Sequence, residues 1–113
     1  MEFIEIIQRF HEIQAMYSEM DKKGRDTEWP RQEYVRAFTA DVGALAKLTM
    51  AKDGFREVEN VDEKLRHELA DCFYGILVIA EKYGINLEEA FLEGMNELEE
   101  RAKRGELGKS HSL

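Results

Sequence analysis

The fold class predicted for this chain is all-α, four helices arranged as a bundle. Three observations predict it. Apolar residues recur at three- and four-residue spacing through four successive segments. No stretch alternates apolar and polar residues as a half-buried strand does. One proline among 113 residues leaves the periodic segments unbroken, and good helix formers abound.

Helix one is expected from about Glu2 to Lys23. Phe3, Ile6, Ile7, Phe10, Ile13, Tyr17 and Met20 form its apolar stripe, and Gly24 is its stop. Helix two begins near Trp29-Pro30, because proline is tolerated in a first turn, and ends at "KDG" with Gly54. Its stripe is Tyr34, Phe38, Asp41, Leu45 and Leu48, so one member is an acid. Helix three follows Asn60, with Glu63 three residues on as in a capping box, and ends at Tyr83-Gly84. Its stripe is Leu65, Leu69, Cys72, Ile76 and Ile79. Helix four opens at Asn86, with Glu89 three residues on and Ile85 before it as a hydrophobic staple, and runs to about Arg104. Residues 1–104 are expected to form a single domain. The aperiodic "GELGKSHSL" of residues 105–113 is expected to be a mobile tail.

Between Leu69 and Ala80 the only charged residue is Asp71. A helix apolar nearly all round is expected to be buried. Three neighbours in a small monomer do not cover that much apolar surface. A homo-oligomer, dimer or tetramer, with helix three near the interface is therefore expected.

The formal net charge of −8 argues against a nucleic-acid surface, which needs a basic face. An acidic protein that binds phosphates needs a metal ion to bridge the like charges. One cysteine allows neither an intramolecular disulfide nor a paired-cysteine zinc site. The start "MEFIEIIQRF" lacks the basic and apolar regions of a signal peptide. No run approaches the roughly 20 apolar residues that span a bilayer. A cytoplasmic location, with no membrane partner, is expected.

The acids on the inner faces carry the functional question. Glu68 and Asp71 are three apart and share a helix face, with Cβ atoms about 5–6 Å apart. Gly75 lies one turn beyond Asp71 and is expected to leave space above its carboxylate. Asp41 holds a core-stripe position on helix two, beside Gly43. Each mid-helix glycine costs about 1 kcal/mol relative to alanine. Buried acids close together repel, and one then holds a proton. A divalent cation removes that problem. Mg²⁺ prefers oxygen ligands, commonly one or two carboxylates with substrate phosphates and waters. The alternative is pairing of Asp41 and Asp71 with an Arg or Lys from a neighbouring helix or subunit; the chain has 16 such residues.

The segment "ADVGALAK" on helix two, followed by "HELADCFYGILVIAEKYGINLEEAF", resembles the MazG-like all-α nucleotide pyrophosphohydrolases. That family's pattern is E-E-x-x-E, commonly with a glycine, then E-x-x-D on the next helix, an apolar run and a turn like "GINLEEAF". Here Glu68 and Asp71 supply the E-x-x-D. "NELEER" resembles the segment after the turn: Arg101 matches its arginine, and Glu97 stands where lysine is usual. The likeness covers about Trp29 to Arg104. It departs at the first segment, where the family's acids fall on Ala40, Asp41 and Ala44.

The resemblance implies a MazG-type oligomer that cleaves a nucleoside triphosphate to monophosphate and pyrophosphate. Asp41, Glu68 and Asp71 would hold Mg²⁺, or Mn²⁺, and the ion would activate a water. Three carboxylates suffice for a single ion and leave no residue assigned as general base. Lys47, Trp29 and Arg101 are the candidate substrate contacts, Lys47 to a phosphate and Trp29 by stacking on a base. Lys47 is otherwise an exposed lysine and Trp29 a packing residue. The rival function is a catalytically inactive helical oligomer for nucleotide sensing or protein interaction, which the alanines at 40 and 44 favour.

Of the remaining residues, His67 lies beside Glu68 but faces no Ser or Cys to activate and is expected on the surface. His11 and His111 show no partner. Cys72 sits on the core stripe as an inert packing residue. The absence of any Glu-x-x-His pair counts against a ferritin-like di-iron bundle.

Overall fold

A computed structural model describes residues 2–24 and 30–106. Among them are four helices and no strand: α1 Phe3–Gly24, α2 Arg31–Lys52, α3 Val61–Lys82 and α4 Leu87–Lys103. Trp29 and residues 107–113, most of the expected tail, lie outside the described residues.

The helix boundaries follow from local chemistry. Pro30 is the N-cap of α2, where its carbonyl accepts from the Glu33 amide at 2.9 Å and its lack of an N–H costs nothing. The chain leaves α2 through Gly54 at φ 90°, a conformation that favours glycine. At the end of α3, the Ile85 amide donates to the Ala80 carbonyl (2.9 Å) and the Gly84 amide to Glu81 (3.2 Å). With Gly84 at φ 69°, this is a Schellman ending. Asn86 caps α4 as expected, its Oδ1 accepting from the Glu89 amide at 3.0 Å. The capping box expected at Asn60 and Glu63 does not form. Asn60 takes a left-handed backbone, φ 54°, and its side chain makes no cap hydrogen bond.

Helices α2 and α3 pack side by side, α1 touches α3 over a shorter length, and α4 packs along neither α1 nor α2 nor α3. The core is small. Phe10, Leu77 and Val78 are buried together, with Ile7, Tyr34, Tyr74 and Leu87 packed partly against them. Phe10 meets Tyr74 edge-to-face at 5.4 Å between centroids, a favoured ring geometry. The Tyr74 hydroxyl donates to Oε1 of Gln14, and His11 Nδ1 lies 3.2 Å from Glu81 Oε2, giving His11 a partner that the sequence did not show.

Helix α3 is not buried on every side. Of its expected stripe, Cys72 is buried and Leu65 and Ile79 are half-buried, but Leu69 and Ile76 are exposed, as is Phe73. The reason is geometric: α1 and α2 cover two sides of α3, and among the described residues no helix covers the third. The apolar residues Phe91, Leu92, Met95 and Leu98 of α4 are likewise exposed. Among the described residues no helix is long and apolar enough to cross a membrane.

Candidate metal and phosphate site

Side chains at 68, 72, 75 and 79 recur at helical spacing and turn one face of α3 toward α2. On that face α2 comes close enough that a Cβ built on Gly75 would lie 2.9 Å from Cδ2 of Phe38. Gly75 lets the Phe38 ring come close, and with Asp71 and Phe38 it also lines a cavity beside the carboxylate. Around Gly43 a Cβ would meet nothing within 4 Å.

This approach brings the acids together. Glu68 is buried, with 9% of its surface exposed. Its carboxyl is held above the ordinary glutamate range, first by burial, then by the charges of Asp41 and Asp71, and further by a hydrogen bond shared with Asp71; nearby His67 pulls the other way. Asp41 and Asp71 line one cavity of about 290 Å³, walled by Tyr34, Phe38 and Tyr74. Asp71 is the more open acid, its side chain 46% exposed, and His67 Nε2 lies 3.4 Å from its Oδ2.

Among the described residues no lysine or arginine forms an ion pair with Asp41, Glu68 or Asp71. Glu68 instead retains its proton more readily, first because it is buried and then because two carboxylates lie near it. Oxygen donors from two helices, half enclosed and with no lysine or arginine paired to them among the described residues, are the donor chemistry a hard divalent ion takes. The donors are not arranged as a finished cage. Among the described residues no three His, Cys, Asp or Glu side chains are grouped as they would be to hold an ion. Binding would require Asp41 to join Glu68 and Asp71, which already share a hydrogen bond.

The other candidates lie apart from this cluster. Lys47 is exposed on α2, six residues after Asp41 and so about 120° around the helix from it. Arg101 is on α4, with Nη2 2.7 Å from Oε1 of Glu97, and α4 contributes nothing to the Asp41–Asp71 cavity. Trp29 lies outside the described residues. Ala40 is exposed and Ala44 half-buried. Cys72 is buried, and burial first, then Glu68, Asp41 and Asp71, raises its thiol pKa, the direction of an unreactive cysteine.

Two contacts went unread in the sequence. The four-residue spacing of His67 and Asp71 was a visible signal for their pairing. The contact of Phe38 with Gly75 carries no local signal, because it depends on the register of α2 against α3.

Comparison with family models, curated proteins and solved structures gave no match. The likeness to MazG-like enzymes therefore rests on the quoted residues alone.

Proposed function

We propose that this chain is a divergent MazG-like protein that binds Mg²⁺, or Mn²⁺, together with the phosphates of a nucleoside triphosphate. It would act as a homodimer or homotetramer and release pyrophosphate from the nucleotide. One observation carries the proposal: Glu68 is buried against two further carboxylates, with no lysine or arginine paired to any of them among the described residues. A stable fold has little reason to keep Glu68 buried beside two acids, since an uncompensated buried charge costs several kcal/mol.

In this proposal Glu68 is the fixed ligand on α3, and Asp41 and Asp71 approach it from the cavity side. His67 restrains Asp71. A bound ion would stabilise phosphate charge and lower the pKa of its water. Ala40 and Ala44 favour a second function, a nucleotide-sensing or interaction module without turnover.

The test is incubation with each common nucleoside triphosphate and Mg²⁺, reading both monophosphate and pyrophosphate. Release of both, abolished by EDTA and by Asp71→Asn, is expected. Metal-dependent nucleotide binding without pyrophosphate would favour sensing. Absence of both binding and turnover would overturn the proposal.

A further inference from the structure

Glu68 does not line the Asp41–Asp71 cavity. It lines a second one, of about 500 Å³, together with Leu48, Asn60, Glu63, Lys64 and His67. The two cavities share no lining residue, and Glu68 adjoins the first through its hydrogen bond with Asp71. Their chemistry differs. The first is walled by Tyr34, Phe38 and Tyr74, and no lysine or arginine lines it. The second carries an ammonium, an imidazole and a side-chain amide, groups that donate hydrogen bonds to phosphate oxygens.

The helix sets these donors beside the buried acid. Lys64 and Glu68 are four apart and share one face of α3. Lys64 is about 6 Å from Glu68 along the axis, a distance its long side chain spans. It is exposed, and among the described residues it forms no ion pair. Asn60 stands one turn earlier, at the N-cap, and its side chain makes no cap hydrogen bond, so the helix does not use its amide. His67 already lies 3.4 Å from Asp71. Glu63 and Glu68 add negative charge to the same cavity, so a bare phosphate is repelled and enters only with a divalent ion on Glu68. Lys47, the phosphate contact expected from the sequence, lines neither cavity.

We propose that this second cavity takes the terminal phosphates of a metal-bound polyphosphate, with Lys64 as their main contact and Asn60 as a further donor. This subsite rests on the proposed metal site at Glu68 and supplies the grip on the anion beyond the ion. Recognition then lies in the polyphosphate chain, so inorganic tripolyphosphate with Mg²⁺ is itself a ligand.

Calorimetry on the full chain at fixed Mg²⁺, with tripolyphosphate as titrant, tests this. Lys64→Gln is expected to weaken tripolyphosphate binding by roughly tenfold or more, the worth of one hydrogen bond to a charged group. It should not weaken binding of Mg²⁺ alone. Lys64→Arg should keep most of the affinity for tripolyphosphate, and Lys47→Gln should leave both affinities unchanged. Circular dichroism checks that each variant folds. Equal tripolyphosphate affinity in the parent and in Lys64→Gln would overturn the proposal and leave the metal site standing. So would a loss in Lys47→Gln as large as that in Lys64→Gln, which marks general charge attraction and not a contact. Failure of the parent to bind Mg²⁺, with or without tripolyphosphate, would overturn the metal site and this subsite together.

Discussion

Among the described residues Glu68 is a buried charged side chain, and both burial and the neighbouring carboxylates disfavour its charge. Its folded pKa stands above the unfolded value, so the native state binds the proton more tightly. The contribution of Glu68 to native stability is then fully present below the unfolded glutamate pKa and is lost as pH rises through the raised folded pKa. Glu68→Gln keeps the shape and removes the charge. In EDTA at neutral pH it is expected to leave the melting temperature unchanged or raise it, and to flatten its fall between acid and neutral pH. A large loss on Glu68→Gln would mean that a cation, such as one from a second subunit, pairs with this carboxylate. Added Mg²⁺ should reverse the sign: a hundredfold excess over the dissociation constant stabilises the parent by about 2.7 kcal/mol and the variant by much less. Thermal melts of both proteins, with EDTA and with Mg²⁺, check this. Asp71, singled out in the sequence as the lone charge in an apolar run, is half exposed beside His67, and the buried acid is its neighbour one turn earlier.

At the scale of the helices, two glycines that look alike in sequence behave differently. Gly43→Ala meets open space and gains roughly 0.5–1 kcal/mol from lower backbone entropy in the unfolded chain. Gly75→Ala gains the same propensity but drives its methyl into Phe38, an overpacking cost of about 1–3 kcal/mol. Denaturant midpoints should therefore move in opposite directions, up for Gly43→Ala and down for Gly75→Ala. Asn86→Ala removes the formed cap of α4 and should cost about 1 kcal/mol, visible as earlier fraying of that helix by amide exchange. The helices themselves were legible because the 3.6-residue period, Pro30, Gly54, Gly84 and Asn86 are local signals. The failure at Asn60 was not legible, because the same residue type suits both a side-chain cap and a left-handed backbone.

The whole molecule departs from what its length suggests. Its radius of gyration is 17.4 Å, where a compact chain of this length has about 13 Å. The inner face of α3 was partly legible, since Glu68 and Cys72 recur with the period that marks a contact side. Which apolar residues stay uncovered was not, because Leu69, Ile76 and Cys72 look equivalent until the number of neighbouring helices is known. The charge of Asp41 reaches Glu68, but among the described residues the acids are not grouped to hold an ion, and the cavity wall of Tyr34, Phe38 and Tyr74 arises only when α2 and α3 are set against each other.

The central claim is that Asp41, Glu68 and Asp71 hold a divalent cation that in turn holds nucleotide phosphates. Calorimetric titration of Mg²⁺ into the protein, with and without a non-hydrolysable nucleoside triphosphate, tests it most directly. The prediction is saturable binding of at least one ion per chain, tighter with the triphosphate, and accompanied by proton release near the acid end of the range as Glu68 ionises. Heats of dilution alone, in both titrations, would contradict it.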